Sequence, residues 1–264
     1  MGYKLAGYTH LGGVEIDPQV ADIYKENHNP KYLYVEDIRE FNKRDDLPKE
    51  LYELDILDGS PPCSTFSMAG SRESAWGKEK VFREGQAKQT LDDLVFVYVE
   101  TINKLRPKVA ILENVKGMIA GNAKAYTKEV NRRLNGYGYN VQLFLLNAAS
   151  MGVPQKRERV FFVCSRKDLN YPNLKMSFNE KAIFFKEIKQ TGLKQGISGQ
   201  RAALWEKCKQ GENFSTVTPN ANFSSMRLSD NKVCNTITAN QCEGFFHSTE
   251  KRKLSSHELS LIHI

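Results

Sequence analysis

Cysteine is scarce in these 264 residues. The five present, Cys63, Cys164, Cys208, Cys234 and Cys242, are odd in number and nowhere stand in C-x-x-C spacing. Neither a disulfide framework nor a zinc site is suggested, and reduced thiols are expected. No stretch reaches the apolar length of a membrane span, and no charged-then-apolar leader opens the chain. A cytosolic location with no membrane partner is the simplest expectation. Internal repeats and low-complexity tracts are absent as well. With 40% hydrophobic and 26% charged residues, the composition is that of an ordinary globular chain, long enough for one substantial domain and a small appendage.

What the chain does have is positive charge, unevenly placed. The net charge is +7; residues 1–165 hold 23 Lys+Arg against 22 Asp+Glu, whereas residues 166–264 hold 15 against 9. A basic region is most often a solvated face, but one so concentrated also suits a module that meets a polyanion.

Up to residue 165, short apolar runs alternate with longer helical patterns, which predicts βα units around a parallel sheet. Strands are expected at 9–17 (THLGGVEID), 32–38 (YLYVEDI), 53–59 (ELDILDG) and 109–115 (VAILENV). The last two, at 140–148 and 159–165, would form an antiparallel pair. Pro18 opens a helix reaching about Asn27. Over 88–106, Leu91, Leu94, Val95, Tyr98, Ile102 and Leu105 recur at helical spacing and form one buried stripe, which Pro107 stops. Another helix over 123–134 would end near Gly136, a fitting C-cap residue. The sequence divides into a catalytic core over 1–165, a polar and basic inserted module over 166–226, and a return to the core over 227–264.

In such sheets ligands bind outside the carboxyl ends of the strands. Four strands end there in polar residues: Glu15 and Asp17, Asp37, the loop DGSPPCSTFS (58–67), and Glu113-Asn114. A lone cysteine is ordinarily a buried packing residue. Cys63 instead follows two prolines, which stiffen the turn, and precedes a hydroxyl-rich stretch, as a mounted nucleophile would.

SPPCSTFS, ENVKGM and VPQKRERVFFV stand in this order with spacing that resembles the cytosine-5 DNA methyltransferase family, and EID (15–17), EDI (36–38) and NTIT (235–238) are similar to its weaker motifs. The resemblance spans most of the chain apart from the variable middle. It implies an α/β, Rossmann-like sheet of the S-adenosylmethionine-dependent methyltransferases with a small target-recognition insertion. It also implies transfer of a methyl group from S-adenosylmethionine, without a metal, to carbon 5 of a flipped-out cytosine in double-stranded DNA. Cys63 would add as thiolate to carbon 6, Glu113 would supply a proton at ring nitrogen 3, and Arg157 and Arg159 would meet the base's carbonyl oxygen and the phosphate. Glu15 would take the donor's ribose hydroxyls, Ile16 would pack on its adenine, Asp37 with Ile38 beside it would meet its amino group, and Pro62 would shape the pocket between donor and base. Asn114 would hold the loop, and Trp205 and Phe214 would fall within the target-recognition module. A monomer is expected, in a bacterial or phage-infected cell with a restriction-modification or phage system.

The chain also departs from the family pattern. The usual first strand with its Phe-x-Gly-x-Gly loop is not found; MGYKLAGY resembles the end of the helix that follows it. The sheet is therefore expected to have a gap between the strands at 9–17 and 53–59. RKLSSHEL (252–259) resembles the start of a last motif whose Gly-Asn-Ser/Ala-Val-Pro helix does not follow. A chain incomplete at both ends is the expectation, with weak donor binding and poor solubility. Ser64 stands where glutamine is common. Three other readings stay open: cytosine methylation in tRNA, amino-group methylation (against which Cys63 argues, since an aromatic usually follows the prolines there), and a nucleic-acid-binding fragment without activity. Covalent trapping on a cytosine analogue separates the enzyme from the binder.

Overall fold

The computed structural model describes residues 2–62, 93–193, 196–218, 225–237 and 244–262, the side chain of Asn122 excepted. The chain divides into two units, Met1–Leu145 with Arg159–Leu174, and Leu146–Glu158 with Lys175–Ile264.

In the first unit, a single turn α1 (Gly2–Leu5) precedes strand β1 (Gly12–Val14) and helix α2 (Pro18–His28). Asp17 starts α2 by accepting the Gln19 N–H at 2.9 Å, and Pro18 sits in the first turn, where a missing N–H costs little. Asn29 ends the helix in the left-handed region, φ 44°. Strand β2 (Tyr32–Tyr34) follows, and Asp37 caps α3 (Ile38–Lys43) through the Arg39 N–H at 2.8 Å. Then come β3 (Ile56–Gly59), α4 (Leu94–Leu105), β4 (Val109–Val115), α5 (Lys124–Gly136) and β5 (Tyr139–Asn147). After β6 (Gln155–Lys156), which lies in the second unit, β7 (Glu158–Arg166) returns to the first.

The strands form two sheets rather than one. β1 and β2 pair parallel, Gly12 opposite Tyr32 and Val14 opposite Tyr34. The larger sheet has the order β3-β4-β7-β5. β3 runs parallel to β4, and β4 antiparallel to β7 with Val115 opposite Arg159. Around β5 and β7, the bonds Lys167 N–H to Gly138 O and Ala148 N–H to Arg157 O cross in the opposed sense of an antiparallel pair. The division falls between β1 and β3, where the sequence predicts a gap. One apolar cluster nevertheless lies beneath both sheets: Phe41, Leu47, Leu51 and Leu105 are buried against Val14 of β1, Tyr34 of β2 and Leu57 of β3. With no strand paired to its inner edge among the described residues, β1 is three residues long instead of the nine expected, and β1 and β2 are only half-buried.

β4 is the complementary case. Its alternate residues Ala110, Leu112 and Asn114 are buried. They face α4 and α5, with Val95, Tyr98, Val99, Ile102, Val130 and Leu134 in the same cluster. Each such side chain contributes roughly 1.5–3 kcal/mol by leaving water. The expected stripe on α4 is present from Leu94 onward; Leu91 and the first part of the 88–106 helix lie outside the described residues. The left-handed residue after α5 is Gly138, φ 84°, and Gly136 is instead the helix's last residue.

The Tyr98 hydroxyl fastens α4 to the sheet, donating toward Leu57 O at 3.1 Å and Ile111 O at 2.9 Å. Its ring lies directly over Gly59, where an added Cβ would overlap it. Gly59→Ala is expected to destabilise the protein by about 2–3 kcal/mol, because the buried ring must move and its two bonds break. Urea denaturation of the variant checks this; an unchanged midpoint would contradict the packing.

The second unit builds two small cores from short pieces. One gathers Phe185 of α6 (Phe185–Ile188) with Leu228, Cys234, Ile237, Phe245, Leu254 and Ile262. The other gathers Leu204, Trp205 and Cys208 around α7 (Gly199–Lys207) with Phe214 and Phe246. Two-residue strands tie the pieces together: β8 (Met226–Arg227) pairs with β10 (Phe245–Phe246), and β9 (Cys234–Asn235) with β6. Residues 227–262 therefore group with 175–218, where the sequence expectation returned them to the core. The apolar runs of 166–226 are too short to close a core alone and recruit those that follow. Trp205 and Phe214, expected within the target-recognition module, are core residues of this unit. Trp205 is 9% exposed, stacked under the Arg227 guanidinium at 3.8 Å and donating to His247 O, and Phe214 is 1% exposed. Both hold the unit together. The last helix, α8 (Ser256–Ile262), starts with a reciprocal cap: Ser255 and Glu258 each accept the other's backbone N–H.

Candidate active site

Parallel pairing presents the carboxyl ends of β3 and β4 side by side, and the polar residues predicted there meet. Glu113, near the end of β4, has both carboxylate oxygens engaged. Oε1 accepts from Arg159 Nε at 2.8 Å, and Oε2 from the Ser60 hydroxyl at 2.5 Å. The register explains the first contact: Val115 lies opposite Arg159, so Arg159 and Glu113 are diagonal neighbours on one face. Both are about four-fifths buried, with 20% of the Arg159 and 22% of the Glu113 side chain exposed. Two fixed donors hold the carboxylate in one orientation.

Asn114 points the other way and is 3% exposed. Its amide donates to Pro61 O at 3.3 Å, and its carbonyl accepts the Val115 N–H at 2.8 Å. The adjacent acid and amide at the end of β4 thus both bind the loop that leaves β3. Pro62 is exposed on that loop; Cys63, the predicted nucleophile, and Ser64 lie outside the described residues. Asp58, in β3 ahead of the loop, has its carboxyl raised above the ordinary value, first by desolvation and also by the Glu113 charge, while a hydrogen bond from Tyr3 opposes the rise. The Tyr3 phenol is in turn pushed up to about 12 by burial and by the Asp58 charge.

Glu15 and Asp37 end the other sheet. Glu15 accepts the Asp17 N–H at 2.9 Å, and its own N–H bonds Tyr34 O, fixing the turn after β1. Asp37 caps α3 and forms an ion pair with Arg39 at 3.0 Å, whose guanidinium also reaches Asp93 at 2.5 Å. Ile16 is half-buried between Glu15 and Asp17, and Ile38 packs partly against the main core. Strand-end carboxylates on rigid backbone are the acceptors that a nucleoside's ribose hydroxyls and amino group require, so this set fits the cofactor implied. Arg157 lies between β6 and β7, with its N–H on Gln155 O and its carbonyl accepting from Ala148; it belongs to the second unit.

Ser60 has no counterpart among the predicted site residues. Its only sequence signal is position, at the end of a strand and next to the two prolines. A hollow of about 210 Å³ lies beside Val109, Val163, Tyr171 and Leu174, at the opposite end of β4 from Glu113. Among the described residues no His, Cys, Asp and Glu group could hold a metal, and no helix is long and apolar enough to cross a membrane.

The family model for C-5 cytosine-specific DNA methylase matches residues 1–263. The Type II methyltransferase M.FnuDI of Fusobacterium nucleatum is 34% identical over 178 residues, 67% of this chain and 46% of that protein. M.NgoPII of Neisseria gonorrhoeae is 32% identical over 182 residues, 67% of this chain and 47% of that protein. The chain thus spans about half the length of the curated relatives it matches. A solved E. coli prophage-encoded protein, described as a DNA modification methyltransferase, shares the fold with TM-score 0.66 at 16% identity, over 99% of this chain and 83% of its own. DNMT2 of Spodoptera frugiperda aligns with TM-score 0.53 at 19% identity, over 79% and 61%.

Proposed function

The chain belongs to the C-5 cytosine-specific DNA methylase family, and on that premise we propose that it methylates carbon 5 of cytosine in double-stranded DNA, using S-adenosylmethionine. The observation that carries this reading is the joining of Glu113 to the Pro-Pro loop, directly through Ser60 and indirectly through Asn114 and Pro61. The acid and the loop that mounts the cysteine are thereby one assembly.

Carbon 5 of cytosine is a weak nucleophile. The Cys63 thiolate adds to carbon 6 while Glu113 gives a proton to ring nitrogen 3, and the electron pair of the ring double bond becomes available at carbon 5. Thiol suits the first step because it keeps some thiolate near neutral pH. Arg159 and Arg157 offer charged donor forks to the base's carbonyl oxygen and the flanking phosphate. S-adenosylmethionine, when bound, supplies an electrophilic methyl group; Glu15, Ile16, Asp37, Ile38 and Pro62 would hold it. Loss of the carbon 5 proton then lets the Cys63 bond to carbon 6 break, which restores the aromatic ring and the thiolate. The base must leave the helix to be reached. Target recognition is assigned to the basic stretch after residue 165, through phosphate and base-edge contacts, and the protein acts as a monomer.

The test is transfer of labelled methyl from S-adenosylmethionine to random-sequence duplex DNA and, in parallel, to tRNA, with the modified bases mapped. Label at carbon 5 of cytosines in one short DNA context is the expected result. Label confined to tRNA moves the substrate, and label on exocyclic amino groups rejects the mechanism.

A further inference from the structure

We propose that Ser60 is a positioning residue that makes Oε2 of Glu113 the proton-carrying oxygen; the inference rests on the methyl-transfer reading above. Glu113 stands between two donors of different character. Arg159 holds Oε1 with a guanidinium, which carries hydrogens and no acceptor and so can only donate. Ser60 holds Oε2 with a hydroxyl, which donates or accepts according to how it turns. A proton on Oε1 would face the Arg159 N–H with two hydrogens in one contact. A proton on Oε2 meets no such obstacle, because the Ser60 hydroxyl rotates and its oxygen becomes the acceptor.

The two states follow. With Glu113 ionised, Ser60 O–H donates to Oε2, the arrangement observed at 2.5 Å. When Oε2 binds a proton from solvent, the hydroxyl turns and holds the new O–H. As the Cys63 sulfur bonds to carbon 6, that proton passes from Oε2 to ring nitrogen 3, and Ser60 again donates to the carboxylate left behind. When the sulfur leaves, nitrogen 3 returns the proton to Oε2. Serine fits this duty because it is short and lies on stiff backbone: Gly59 is pressed against Tyr98 behind it, and Pro61 and Pro62 follow. Its contact with Glu113 joins residues 53 apart in sequence, so local turn geometry alone does not produce it.

Two measurements on the full chain test the proposal. The first is a double-mutant cycle of Ser60→Ala and Glu113→Gln in urea unfolding, which reports the contact whether or not the chain turns over. The unfolding equilibrium is expected to be non-additive by roughly threefold; strict additivity overturns the proposal. The second is the rate of covalent trapping on duplex DNA carrying 5-fluorocytosine with S-adenosylmethionine, measured alongside DNA affinity. Ser60→Ala is expected to trap about tenfold more slowly, as loss of one transition-state hydrogen bond implies, with DNA affinity unchanged, and Ser60→Thr, which keeps the hydroxyl, to recover most of the rate. Trapping by Ser60→Ala at the wild-type rate, or failure of threonine to recover it, overturns the role. A wild type that never traps although the cycle is coupled rejects the methyl-transfer reading itself, and the role of Ser60 with it.

Discussion

Serine in place of Cys63 is expected to abolish the covalent complex with 5-fluorocytosine DNA and to lower methyl transfer by about 10⁴-fold or more. The exchange of one atom removes both nucleophilicity and the accessible anionic form, since a serine hydroxyl ionises far above neutral pH while a thiol is a few per cent thiolate near pH 7. The remaining described cysteines cannot substitute. Cys164 and Cys234 are fully buried, and burial pushes each thiol up to about 12, with the Glu258 charge adding to the rise at Cys234. Burial raises the Cys208 thiol as well. Cys164→Ser and Cys208→Ser are therefore expected to keep trapping wherever they fold. Mass spectrometry of the trapped peptide decides the matter. An adduct on any of these three, or full trapping by Cys63→Ser, would reject the assignment.

How far the sequence reveals such a site depends on whether its determinants are local. VAILENV was legible to the residue as β4, because a strand paired on both edges, with one face buried and the other half-buried, is apolar nearly throughout. The stripe on α4 and the start of α2 at Pro18 were equally local. Glu113 and Arg159 could be named from their motifs, and register brought them together. Ser60 could not be named. Its partner lies 53 residues away, and a serine before prolines reads as an ordinary turn residue. The basic stretch after residue 165 misled for a related reason. Trp205 and Phe214 stand among polar neighbours in the sequence, but Arg227 and Phe246 pack against them. A core assembled from two- and three-residue pieces has no periodicity to detect.

The second unit also holds a buried ion pair at the start of α8, and Arg252→Met is expected to destabilise the protein by about 3–5 kcal/mol by leaving Glu258 charged and unpaired. Arg252 and Glu258 are 2% and 0% exposed and meet fork to fork, at 2.8 and 3.0 Å. Burial alone would raise the Glu258 carboxyl. Hydrogen bonds from Arg252 and from the N–H groups of Ser255 and Gln190 outweigh it and hold the group at about 2. A depressed carboxylate stabilises the fold above its unfolded value of 4.5, and that contribution disappears as pH falls from there toward 2. His247 does not compensate. Its Nδ1 accepts from the Thr249 and Glu250 N–H groups, so the neutral ring carries its hydrogen on Nε2, which faces Glu258 at 3.6 Å. Burial lowers its affinity for a further proton, the nearby Arg252 charge lowers it more, and Lys189 acts in the same sense against Glu258 and Glu250. That proton has to enter at Nδ1, where two N–H groups already point. The loss on removing Arg252 is therefore expected to persist from pH 8 down to the range where Glu258 itself takes up a proton. Urea midpoints at several pH values read this, and Arg252→Met/Glu258→Met provides the control. With both charges gone, the double variant should recover much of the loss and retain only the cost of the missing α8 cap. A single variant as stable as the wild type at pH 8 would show that the pair is not what holds this unit closed.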